Sequence, residues 1–184
     1  MKRSKTRSLI LCAMFVALIA VGAFIRIPTP MVPITLQYLF TMLAGLFLGG
    51  KLGCLSVCIY IALGLLGLPV FTQGGGPGYI FQPSFGYIIG FAAGALATGT
   101  VAGKSPRPGF PRLLAANFIG LGIVYLFGTL YYGLISTFYL GTPMGLLPLL
   151  FYCILMTLPW DILLCVAGAG LGKRLIPILR SERI

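Results

Sequence analysis

Between Lys51 and Lys104 the chain runs for 52 residues without a single charged side chain. A helix that crosses the hydrocarbon core of a bilayer takes about 20 mostly apolar residues, because its backbone groups must bond within the segment where no water is present. A charge-free run of this length is therefore too long for one span and predicts two, with a connection between them. The connection is legible: Gly74, Gly75, Gly76, Pro77 and Gly78 follow one another between Pro69 and Pro83, and such residues do not propagate a helix.

The same reasoning covers the rest of the chain. Its 184 residues are 59% hydrophobic and 8% charged, with a mean hydropathy of +1.05, outside the composition of soluble domains. Apolar runs predict helices over 8–26, 35–48, 52–68, 84–102, 113–138 and 148–172. The expected fold is all-α, one integral membrane domain over 1–184 with six transmembrane helices and no room for a soluble catalytic domain. Pro28, Pro30 and Pro33 make a rigid loop after the first helix, Gly49-Gly50-Lys51 a tight turn after the second, and Gly141-Thr142-Pro143 the turn before the last.

A net charge of +11 could indicate nucleic acid, whose phosphates attract Lys and Arg. The placement of the charges argues against it. Lys2, Arg3, Lys5 and Arg7, then Lys51, then Lys104, Arg107 and Arg112, then Lys173, Arg174, Arg180 and Arg183 fall on one side of the predicted helices, twelve of the thirteen cations, and only Arg26 falls on the other. By the positive-inside rule, both termini are cytoplasmic. The basic start followed by an apolar run resembles a secretory signal, but 9–25 leads into no polar cleavage region, so it reads as the first span.

Cys12, Cys54, Cys58, Cys153 and Cys165 all lie in apolar segments of a chain without His. They read as small hydrophobes, and Cys54 and Cys58, four apart on one helical face, do not complete a metal set. The glycine-rich segment lacks the Lys and the strand-to-helix context of a phosphate loop. With one acid before the C-terminal tail and no nucleophile–base pair, enzyme chemistry finds no constellation. No metal or cofactor is expected.

That acid, Asp161, sits inside the last predicted helix. A carboxylate there costs about 2.5–3.5 kcal/mol on insertion scales and marks a functional site by default, although a packing anchor held by a nearby Ser, Thr or Tyr is the plainer alternative. Pro159 removes the bond its N–H would make to Leu155, so a kink is expected at that point. Gln82 and Tyr87 flank the glycine-rich connection with an amide and a hydroxyl. Arg26 either anchors the first helix at the headgroups or captures an anionic substrate group. Ala13 and Ala17, one turn apart, allow another helix to approach closely, within this chain or from a partner.

Pro33-Ile34-Thr35-Leu36-Gln37, Gly64-Leu65-Leu66-Gly67-Leu68-Pro69-Val70-Phe71, Gly74 to Gly76 and Pro83-Ser84-Phe85-Gly86-Tyr87-Ile88-Ile89-Gly90-Phe91 occur in this order and together resemble the BioY family. The resemblance extends from the first helix to the last. It implies a six-helix substrate-capture component of an energy-coupling-factor importer that binds biotin from outside and delivers it with a transmembrane coupling subunit and two ATP-binding-cassette ATPases. It implies further that ATP hydrolysis belongs to those partners, that the bilayer is that of a prokaryotic cytoplasmic membrane, and that Ala13 and Ala17 contact the coupling subunit. A component for a different vitamin and a facilitator acting alone are the alternatives. Where that family has Pro-Gly-Asp followed by Lys three residues later, this chain has Pro159-Trp160-Asp161 and Leu164.

For biotin, Asp161 would accept the ureido N–H groups and Gln82 or Tyr87 would donate to the ureido carbonyl. Tyr79, Phe85 and Trp160 would cover the sulfur ring, Arg26 would meet the carboxylate, and Gln37 closes the first motif. Asp161 lies thirteen residues into its predicted helix, about 20 Å at 1.5 Å per residue, while Tyr87 opens another near the outer face. Either the glycine-rich connection dips inward or the last helix begins above the membrane.

Overall fold

The computed structural model describes residues 5–29, 31–103 and 108–181, with Lys5, Arg180 and Ser181 placed by their backbone. Lys2, Arg3, Lys104, Arg107 and Arg183 of the expected charge pattern, and Pro30 of the proline loop, lie outside the described residues.

Helix α1 (Lys5–Phe24) leads into strand β1 (Arg26–Ile27), which pairs antiparallel with β2 (Ile34–Thr35), Arg26 opposite Thr35. Helices α2 (Gln37–Leu48) and α3 (Gly50–Leu65) follow, then a 3₁₀ turn (Pro77–Phe81), α4 (Phe85–Gly103) and α5 (Phe110–Leu134). A π-helical turn (Ile135–Tyr139) continues α5, and the short α6 (Leu146–Leu150) passes through a second π turn (Phe151–Leu155) before α7 (Leu158–Ser181).

Four helical runs are long and apolar enough to cross a membrane: Thr6–Phe24, Phe85–Gly103, Phe110–Tyr139 and Leu146–Leu179. The other two expected spans are shorter apolar helices, α2 of 12 residues and α3 of 16. Chain expected to lengthen them is used otherwise. The prolines turn residues 26–35 into a hairpin, so α2 starts only at Gln37, and the expected three-residue turn at Gly49-Gly50-Lys51 contracts to Gly49 alone. Gly49 has φ +89°, a backbone state that L side chains resist, and Gly50 already belongs to α3.

The break in the last helical run also differs from expectation. Pro159 is the second residue of α7, where a missing N–H costs nothing because first-turn donors have no intrahelical partner. The interruption lies upstream, in the π turn and Met156–Thr157, where Met156 N–H reaches back to the Phe151 carbonyl at 3.0 Å.

Helix α4 runs through the middle of the bundle, against α2, α3 and α5. It gets there because small residues meet: a Cβ added to Gly53 would lie 2.7 Å from Gly45 Cα, and Gly99 and Gly45 abut the backbones of Gly50 and Ala95. Side chains as large as Leu130, Phe138 and Leu147 stay on the outside at 61%, 83% and 80% exposure, the inversion expected where lipid is the solvent. Arg7 shares a groove with Leu48 and Leu179, and Arg112 Nε donates to the Val101 carbonyl at 3.2 Å. One end of the bundle thus gathers the start of α1 and the ends of α2, α4 and α7, while Arg26 lies at the opposite end with the hairpin and the glycine-rich connection.

Candidate functional site

The glycine-rich connection dips into the bundle. Phe71 is 1% exposed, its ring filling the space that a side chain at Gly64 would need. Tyr60 and Tyr79 pack on it with ring centroids 5.4 and 4.5 Å away. The Gly76 N–H donates to the Gly64 carbonyl at 2.7 Å and the Tyr60 hydroxyl to the Val70 carbonyl at 2.9 Å. Of the two expected answers to the depth question, the inward dip is the one the structure shows, and the helical run that carries Asp161 extends over 34 residues, about 50 Å.

Between this connection, the hairpin and helices α2, α4, α5 and α7 lies a partly open, mainly apolar cavity. Its hairpin wall is Val32, Pro33, Ile34 and Thr35, and Thr72 and Tyr79 come from the connection. Gln37, Tyr38, Tyr87, Phe91, Tyr125 and Asp161 reach it from the helices, Ser84 from just before α4 and Thr157 from just before α7. Tyr38 and Phe91 stack at 6.3 Å with rings 28° apart, forming an aromatic wall.

The polar groups are held by a short relay. The Tyr125 hydroxyl donates to Asp161 Oδ2 at 2.6 Å and lies 3.1 Å from Thr157 Oγ1. Thr157 Oγ1 donates to the Ile154 carbonyl at 3.3 Å, an acceptor made available by the helix break. Asp161 forms no ion pair among the described residues, and it sits in the first turn of α7, where the helix dipole favours a negative charge. Opposite in character is Gln37, the first residue of α2: it is 2% exposed, and its Nε2 is buried without a hydrogen-bond partner. A buried amide donor left unmade costs about 1–3 kcal/mol, which a ligand acceptor would recover.

Of the residues expected at the site, Asp161, Gln37, Tyr87 and Tyr79 line the cavity, and Gln82, Phe85, Trp160 and Arg26 do not. Gln82 ends the 3₁₀ turn and its carbonyl receives the Phe85 N–H at 3.0 Å. Phe85 packs behind the wall, 6.3 Å from Tyr79 and 6.0 Å from Tyr131. Trp160 Nε1 donates to the Thr35 carbonyl at 3.4 Å, tying α7 to the hairpin. The Tyr87 hydroxyl is already given to the Cys153 carbonyl at 2.7 Å. Arg26 is exposed at the rim and its guanidinium donates to the Thr72 carbonyl.

Sequence reasoning missed Tyr125, Thr157, Thr72, Ser84 and Phe91. Thr157 carried a usable signal, since it stands four residues before the lone acid, one helical turn away. Ala13 and Ala17 are exposed on α1, lining a second, apolar groove with Leu55, Ile59 and Leu63 of α3.

The sequence matches the family model described as "BioY family" over residues 1–181. A protein of Lysinibacillus sphaericus named "Probable biotin transporter BioY" is 43% identical over all of this chain and 93% of that protein. "Biotin transporter BioY" of Thermotoga maritima is 45% identical over 66% of this chain and 72% of its own length. A crystal structure of the S-component for biotin from an ECF-type ABC transporter superposes with a TM-score of 0.70 at 30% identity, covering 93% of this chain and 91% of that one.

Proposed function

The chain belongs to the BioY family, and from that premise we propose that it is the biotin-capture component of an energy-coupling-factor importer in a prokaryotic cytoplasmic membrane. In this reading all six helices cross the bilayer with both termini inside, the shorter α2 and α3 included, and biotin enters from the end that carries Arg26. The described cations support the orientation: Arg7, Lys51, Arg112, Lys173 and Arg174 fall at helix ends on the other side.

One observation carries the substrate. A carboxylate without a cation partner among the described residues and a buried amide N–H group line the same cavity beside an aromatic wall. Biotin's cyclic urea offers two N–H donors that point away from each other and one carbonyl between them, so Asp161 accepts from one donor and Gln37 donates to the carbonyl, a role that Tyr87 and Gln82 leave open. Charge-assisted hydrogen bonds of this kind are about twice as strong as neutral ones. Tyr79, Phe91 and Tyr38 cover the sulfur-containing ring, and the acid chain points to the rim, where Arg26 is the nearest cation.

The chain's own contribution is capture. Energy comes from a coupling subunit docked against the Ala13 and Ala17 face of α1 and from two ATPases bound to it. The test is equilibrium binding of labelled biotin to the purified chain in lipid nanodiscs, with Asp161→Ala and other vitamins alongside. Tight biotin binding that is lost in the variant supports the proposal; displacement by another vitamin but not by biotin keeps the family and overturns the substrate. Uptake that persists in cells without the ATPases would instead favour a facilitator acting alone.

A further inference from the structure

Resting on the reading of this cavity as a biotin site, we infer that the protein also binds biotin whose carboxyl group has been converted to an amide. The substrate class is thus carboxyl-amidated biotins together with the free acid. The inference comes from where positive charge is placed. Among the described residues the cavity's lining includes no Lys or Arg, and its one acid, Asp161, is an acceptor for the ureido ring. Leu164, one turn beyond Asp161 on α7, is 4% exposed in the apolar core.

The cation near the mouth is Arg26, which is exposed and spends a guanidinium N–H on the Thr72 carbonyl. An ion pair in that setting is screened by water and contributes about fivefold in affinity at most. The interior therefore discriminates the ureido and sulfur rings, whereas the acid end meets solvent, a half-committed guanidinium and the backbone of the hairpin. An amide keeps the carbonyl acceptor that Arg26 can still serve, and a chain extending from it leaves through the rim. The residues that would need to move for a longer tail, Val32 to Thr35 and Thr72, belong to a hairpin and a connection rather than to the helical core.

Competition against labelled biotin in nanodiscs, using unlabelled biotin, biotinamide and the lysine amide of biotin, tests this. Both amides are expected to displace the label at concentrations within about fivefold of biotin, and Arg26→Ala is expected to bring the three curves closer together by weakening the free acid most. Tenfold or weaker displacement by biotinamide on the wild-type protein overturns the inference while leaving biotin capture intact. Absence of label binding to the wild type would overturn the biotin site itself, and this inference with it.

Discussion

The Tyr125 hydroxyl donates to Asp161 Oδ2 at 2.6 Å, joining the one acid of the described chain to the longest helix of the bundle core. The bond turns one carboxylate oxygen away from the cavity and leaves the other to act as acceptor. It also shares the cost of burying a carboxylate, since Thr157 meets the same hydroxyl.

Two substitutions separate these roles. Asp161→Ala removes the acceptor for a ureido N–H group and leaves it unpaired, at about 1.5–3 kcal/mol, so biotin affinity is expected to fall by about one to two orders of magnitude. Tyr125→Phe keeps the acceptor and loses only its support, with an expected loss near tenfold. Titration calorimetry on the two proteins checks the order; equal losses would place Tyr125 in direct contact with the ligand.

Gln37→Leu separates folding from binding in the opposite way. The Gln37 amide nitrogen lacks a partner within hydrogen-bond geometry among the described residues, so replacing it by an apolar group of similar size is expected to leave the thermal midpoint of the unliganded protein unchanged or higher. Biotin affinity is expected to fall about tenfold, the value of one hydrogen bond to a buried donor. The midpoint rise on adding saturating biotin, which grows with [L]/Kd, should shrink accordingly. A large drop in the unliganded midpoint would mean that the amide has a structural partner instead.

How far the sequence discloses such a site depends on rarity. Asp161 stands out because it is the only acid among the apolar segments, and the charge-free run from 52 to 103 betrays the membrane because nothing else tolerates it. Tyr125 has no such contrast: Tyr131, Tyr132 and Tyr139 follow it in the same helical run, and only packing shows which of them turns toward α7. Gln82 attracted attention by lying beside the glycines, yet a 3₁₀ turn aims it away from the cavity, whereas Gln37 enters because the hairpin postpones the start of α2. That Gln82 and Phe85 stay outside while the expected Gln37 is joined by Phe91 follows from tertiary geometry that no local pattern encodes. The late start of α2 has the same origin, in residues 34–35 that pair as a strand instead of opening the helix.

Gly64→Val tests whether the inward-dipping connection builds the cavity. Any Cβ at position 64 meets the Phe71 ring, and that ring carries Tyr79 and, next to it, Thr72. Overpacking at such a point costs about 1–3 kcal/mol, and here the connection can yield more easily than α3. The expected outcome is a modest loss of thermal stability with a loss of biotin affinity of tenfold or more, read in the same nanodisc binding assay. A variant that is destabilised yet binds normally would show that the connection is a cover and not a wall.

The last prediction concerns the outer face of α1. Ala13 and Ala17 are exposed beside Leu55, Ile59 and Leu63, so side chains can be enlarged there without entering the core: Ile19, Phe15 and Cys12 supply the buried face of the helix at 0%, 4% and 2% exposure. Ala13→Leu with Ala17→Leu is therefore expected to leave folding and biotin binding by the isolated chain within twofold of wild type. If a coupling subunit packs helix to helix against this stripe, two added isobutyl groups hold the backbones apart and forfeit the close contact that membrane helices depend on. Co-purification with the coupling subunit and ATP-driven uptake in proteoliposomes should both be lost together. Uptake that survives the double substitution would move the docking face elsewhere on the bundle, while loss of binding by the isolated chain would return the stripe to internal packing.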